Sequence, residues 1–130
     1  MIHWGRIVAA AAMAEATVMA LFFLLLFAAT LAGHPEWARP MSTLDYVDAM
    51  VASFAMVFLF TLWVAKGIET GFVLHGVLVA IVSIVMFVAL IFAINKTFNE
   101  PPLYIVAHGL KIAGGVAGGM FAAKRRHARA

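Results

Sequence analysis

The chain has 130 residues, of which 65% are hydrophobic and 12% are charged. A mean hydropathy of +1.04 excludes a soluble globular domain and indicates a membrane protein. The lack of cysteine excludes disulfides, thiolate metal ligands and cysteine nucleophiles. The formal charge of +3 is concentrated near the C-terminus, at Lys124, Arg125, Arg126 and Arg129. Such a cluster suits an anionic membrane surface better than a nucleic acid, so we expect no nucleic-acid partner.

Four apolar segments predict transmembrane helices at about 7–31, 44–65, 72–94 and 103–123. Because a spanning helix takes about 20 apolar residues, four of them use almost the whole chain. We therefore predict an all-α membrane protein with one domain, residues 1–130, folded as an antiparallel up-down bundle.

The first apolar segment invites two interpretations, a retained helix or a cleaved signal peptide. Trp4 and Arg6 are residues typical of the point where a helix enters the bilayer. The apolar run is longer than the core of a signal peptide and contains Glu15, which favours a retained helix.

The connections carry helix-ending and helix-starting signals. Residues 33–41 contain two prolines and predict an exposed loop. Ser42 with Asp45 three residues later predicts a cap for the second helix. The short turn at 66–71 requires antiparallel neighbours. Asn99 is the expected cap of the fourth helix, and the prolines after it suit a first helical turn.

The distribution of positive charge predicts an orientation. Arg6, Lys66 and the basic C-terminal cluster lie at one end of the predicted bundle, against Arg39 and Lys96 at the other. The positive-inside rule then places both termini in the cytoplasm and the protein in a cell inner (plasma) membrane.

The fourth helix carries the least lipid-like face of the chain. Tyr104, His108, Lys111, Gly115 and Gly118 share one side of a helix that turns about 100° per residue. A lysine deep in a membrane costs roughly 3 kcal/mol unless it faces the protein interior. The face is therefore expected to pack inward.

Two glycine pairs continue this face, Gly114 with Gly118 and Gly115 with Gly119. Glycines four residues apart allow another helix backbone to approach closely. The sequence leaves open whether that helix belongs to the same chain or to a second copy, and a homo-oligomer is one expectation.

Glu15 is the acidic residue deep inside another apolar segment, so we predict that it pairs with Lys111. Counted from the termini end, the two residues differ in depth by around 6 Å, which long side chains can span. The pair has two interpretations: it specifies which helices pack together, or it belongs to a proton or ion path.

The histidines weaken a cofactor hypothesis. His75 and His108 are expected roughly 15 Å apart along the membrane normal, too far for one haem iron. An external acidic cluster of His34, Asp45 and Asp48, with His108 nearby, has residue types that suit a metal, but no recognisable ligand spacing supports it. We therefore expect no cofactor and no metal.

Two stretches support a family resemblance: Gly71, His75 and Gly76 at the start of the third helix, and the four glycines of the fourth helix followed by basic residues. In these motifs the chain resembles a small family of bacterial four-helix membrane proteins of uncharacterised function. The resemblance implies the fold and the inner-membrane location, and it implies no activity.

Two functional expectations follow. The first is a small membrane subunit or helix-packing and interaction protein without catalysis, with Glu15 and Lys111 as a structural pair and the bilayer, a homo-oligomer or a membrane-protein partner around it. The alternative is a small oligomeric transporter or channel that uses Glu15, Lys111 and His108. A structural pair should be dry, whereas a path needs a cavity that reaches a surface. No catalytic motif is recognisable, so we do not expect an enzyme.

Overall fold

The computed structural model describes residues 1–39, 42–97 and 101–128, and within them the protein is all-helical. Four α-helices run α1 Trp4–Leu31, α2 Thr43–Ala65, α3 Phe72–Asn95 and α4 Pro102–His127, with a short 3₁₀ helix at Pro35–Ala38. Each α-helix is long and apolar enough to cross a membrane. The predicted class, a multi-pass membrane protein built as a four-helix bundle, is confirmed.

The helix ends differ from the predicted bounds mainly at the termini of the chain. α1 begins at Trp4, and α4 continues through the basic residues to His127, because cations in a last turn are favourable beside the negative end of a helix. Ser42 caps α2 as predicted, since its hydroxyl accepts a hydrogen bond from the Asp45 amide. The predicted cap Asn99 and the basic residue Arg129 lie outside the described residues.

Contacts between the helices define an up-down-up-down order. Arg6 at the start of α1 donates to the Trp63 carbonyl near the end of α2, so these helices are antiparallel. Arg126 near the end of α4 donates to the Ile68 carbonyl just after α2, so α2 and α4 are parallel. The start of α1 and the end of α4 therefore lie at one end of the bundle, called here the termini end. Its cytoplasmic location stays a prediction.

The helix α4 is wedged between α2 and α3, and α1 closes the bundle on the opposite side. α1 packs against α2 and α3, whereas α1 and α4 are diagonal neighbours with no close backbone approach in the described chain. The buried core near the termini end consists of small and β-branched residues, among them Ile7, Ala10, Val57 and Val79.

The two glycine pairs of α4 serve two different helices of the same chain. A β-carbon at Gly114 would lie 2.6 Å from the Phe54 carbonyl oxygen of α2, and one at Gly118 would lie 2.9 Å from that of Phe58. On the adjacent ridge, a β-carbon at Gly119 would lie 2.6 Å from the Cα of Val73 in α3. The close contacts left open by the sequence are thus made within one chain.

The tightest contact joins Gly115 to Gly76 of α3. A β-carbon at either residue would overlap the carbonyl oxygen of the other. Backbone atoms cannot swing away as a side-chain tip can, so only the absence of a side chain on both helices permits this approach.

We predict that Gly115→Ala lowers the free energy of unfolding by roughly 1–3 kcal/mol, since the added methyl meets backbone. Gly109→Ala is the matched control in the same helix, because nothing lies within 4 Å of a β-carbon there. The control should be neutral or gain up to about 1 kcal/mol from helix propensity. Unfolding in mixed detergent micelles measures both, and equal stability of the two variants would refute the tight α3–α4 contact.

Candidate functional site

The polar centre of the bundle is a contact between α1 and α4. The Lys111 ammonium donates to Glu15 Oε1 at 2.6 Å, and the exposed fractions of the two side chains are 3% and 13%, respectively. The long lysine side chain crosses the diagonal gap that separates the two backbones. It thereby links two helices that do not pack against each other directly.

Two further groups complete this centre. The Ser83 hydroxyl of α3 donates to the same carboxylate oxygen of Glu15. The Lys111 ammonium lies 4.8 Å from the centre of the Phe87 ring, a cation–π distance. Glu15 and Lys111 are therefore held by groups from three helices, α1, α3 and α4.

The hydrogen bond from Ser83 to Glu15 was not predicted, although the positions of the two residues in their helices pointed to it. Glu15 and Ser83 each lie about eleven residues from the first residue of their helices. Because α1 and α3 both start at the termini end, equal offsets place the two residues at equal depth. Choosing Ser83 as the partner nonetheless required knowing that α3 lies beside α1.

A cavity of about 390 Å³ extends from this centre toward the other end of the bundle. All four helices line it, and the wall contains residues near the start of α2, the end of α3 and the start of α4. The surface of the cavity is mostly apolar. The polar residues in its lining are Glu15, Asp45, Asp48, Ser53, Tyr104, His108 and Lys111. The Glu15–Lys111 pair forms the inner end of this cavity.

The spacing of the polar residues explains why they share the cavity. Asp45, Asp48 and Ser53 follow helical spacing along one face of α2, and Tyr104, His108 and Lys111 do so along α4. The Tyr104 hydroxyl donates to Asp45 at 2.7 Å across the helix pair. Tyr104 was expected on the inward face of the fourth helix, but its bond to Asp45 was not predicted.

The predicted external cluster does not form one site. His34 lies outside the bundle, 3.0 Å from the Glu36 carboxylate and stacked on Trp37 at 4.1 Å between ring centres. Asp45 and Asp48, in contrast, are buried in the cavity wall. No three His, Asp or Glu side chains lie close enough to hold a metal in the part of the chain that the structure describes.

The exposed Glu36 carboxylate makes its contacts with residues close to it in the sequence. A hydrogen bond from its own backbone amide, together with the bond to His34, holds its pKa below the usual value. These exposed contacts lie in the short 3₁₀ helix and at His34 just before it, and they involve no residue of the cavity.

The two histidines within the membrane helices, His75 and His108, make different kinds of contact. His75 hydrogen-bonds to the Gly71 carbonyl through Nδ1 at 2.8 Å, and its Nε2 accepts from the His3 amide. These contacts tie it to the start of its own helix and to His3, the residue just before α1. His108 lines the cavity and meets the Phe87 ring edge-on at 5.4 Å between centres.

Comparison with known proteins assigns no family and no function to the chain. The chain matches no protein-family model, no curated protein and no solved structure. The features of this chain that bear on function are the cavity and its charged inner end.

We predict that Lys111→Met costs about 3 kcal/mol or more of stability, because it leaves the Glu15 carboxylate buried without its ammonium partner. The double variant with Glu15→Gln should be less destabilised than this single one. A double-mutant cycle from unfolding in detergent micelles measures the coupling energy.

Ser83→Ala provides the comparison, because it removes a neutral donor from the same oxygen and should cost only about 1 kcal/mol. If the double variant loses the full sum of the two single losses, Glu15 and Lys111 are not energetically coupled.

Proposed function

We propose that this membrane protein is a small carrier in which the cavity is the binding site and the Glu15–Lys111 pair is its proton- or ion-responsive inner end. The observation that supports this function most strongly is that the cavity extends to the pair. A pair that served packing alone needs no adjoining space, whereas this pair, although nearly buried, borders a largely apolar cavity within the usual 300–1,000 Å³ range of ligand sites.

The other side of the pair is closed. Between it and the termini end lie the Gly76–Gly115 contact and the buried core that includes Ala14 and Ala80. The cavity extends from the pair toward the other end of the bundle, and a space that stops at a closed side is the form expected of one state of a carrier, rather than of an open channel.

The pair offers a way to couple charge to helix position. A proton bound by Glu15 removes the negative charge that attracts the Lys111 ammonium, and this contact bridges two helices without direct backbone packing. Loss of the attraction weakens the link between α1 and α4, while α1 keeps its packing on α2 and α3. A change in protonation is thereby converted into a change in packing.

The second candidate is the helix-packing or interaction protein without catalysis. It is supported by the position of the pair, which joins diagonal helices and disfavours other pairings of the same segments. The glycine face is occupied within the chain, so a homo-oligomer or a membrane-protein partner would use other surfaces. The inner-membrane location, the orientation and the resemblance to the bacterial four-helix family are proposals of the same kind.

Flux measurements in liposomes separate the two candidates. Wild-type protein should carry protons or small ions across the bilayer, and Glu15→Gln should reduce this flux at least tenfold by removing the titratable carboxylate. Fluorescent pH and cation indicators inside the vesicles provide the measurement.

The matched control is Glu69→Gln, the same chemical change at an exposed residue of the turn between α2 and α3. It should retain wild-type flux. A wild type that carries no proton or ion, together with a Glu15→Gln variant that is merely unstable, would favour the packing protein.

A further inference from the structure

A second concave surface lies at the termini end, on the outside of the bundle between α2 and α4. This groove, of about 690 Å³, is lined by Leu59, Leu62, Trp63, Ala65, Lys66, Ala122, Arg125 and Arg126. It contains none of the cavity residues, so it is independent of the proposed carrier function.

The groove is divided by chemistry along the helix axis. Its part toward the membrane centre is apolar, with Leu59 and Trp63 partly exposed at 51% and 39%. Among the described residues, its part toward the helix ends has three cations, Lys66, Arg125 and Arg126, and no acidic residue lines it. Apolar and cationic surfaces are thus arranged in the order in which a phospholipid presents its acyl chains and its phosphate.

The contacts of the three basic side chains leave their positive charges able to attract an anion. Arg126 donates one guanidinium nitrogen to the Ile68 carbonyl at 3.3 Å, which retains further donors on the same group. The Arg125 guanidinium lies 4.6 Å from the centre of the Phe121 ring. Lys66, the C-cap residue of α2, is exposed.

We propose that this groove binds one anionic phospholipid, with its acyl chains along α2 and α4 and its phosphate at Lys66, Arg125 and Arg126. A zwitterionic lipid carries its own cation, which three positive side chains repel, so the groove discriminates by net headgroup charge. Basic pockets between membrane helices at the headgroup level are known to bind anionic lipid headgroups.

Native mass spectrometry of the full-length protein, released from detergent with defined lipids, tests the site. Phosphatidylglycerol should remain bound as one tightly held molecule, and phosphatidylcholine of the same chain length should not. The double variant Lys66→Gln/Arg125→Gln should bind phosphatidylglycerol roughly 10- to 30-fold more weakly, since each cation near a headgroup contributes a factor of several in affinity.

The matched control is Lys124→Gln/Lys96→Gln, which removes the same net charge from exposed residues that do not line the groove. It should bind phosphatidylglycerol as the wild type does. An equal loss in both double variants would show attraction to net charge alone and overturn the site, as would equal retention of the two lipids by the wild type.

Inorganic phosphate distinguishes a lipid site from a simple anion site. If the apolar part of the groove contributes to lipid binding, millimolar phosphate should not displace the bound phosphatidylglycerol. Displacement at that concentration would refute a lipid site. Helix content by circular dichroism, unchanged in both double variants, verifies that the comparison concerns folded protein.

Discussion

The structure depends on the need of the buried Lys111 ammonium for a negative partner inside an apolar bundle. An unpaired cation at this depth is costly, and the Glu15 carboxylate meets it at 2.6 Å. α4 cannot approach α1 directly, because its glycine ridges hold it against α2 and α3. A long lysine side chain is therefore what connects the two diagonal helices, so the glycine contacts and the charged contact depend on each other.

Side-chain size along the bundle explains why a cavity lies beside this contact. Toward the termini end, glycine and alanine let the helices approach, and the buried residues of α1 are concentrated there, from Ile7 to Ala14. Toward the other end, bulky residues such as Phe22 and Phe87 line the cavity between the helices. Close packing at one end and large side chains at the other leave the space that reaches Glu15.

The two ends of the bundle also differ in charge. The cavity contains the carboxylates of Asp45 and Asp48, whereas the groove at the termini end contains cations and apolar surface. In the proposed picture, a lipid held between α2 and α4 supports the tightly packed wedge of α2, α3 and α4. The more loosely packed outer half of α1 is then the part of the bundle whose position responds to the charge on Glu15.

The sequence by itself determined the membrane location of the chain, its four helices and the inward face of α4, because hydropathy and helical periodicity are local properties that persist on folding. It also singled out Glu15 and Lys111, since charges within apolar segments are costly wherever they lie. Only the tertiary structure decided which glycine ridge meets which helix, that Ser83 joins the pair, that Asp45 meets Tyr104 while His34 stays outside, and that a cavity lies beside them. These features depend on which helices are neighbours and how far apart their axes lie, and neither quantity is encoded in the periodicity of a single segment.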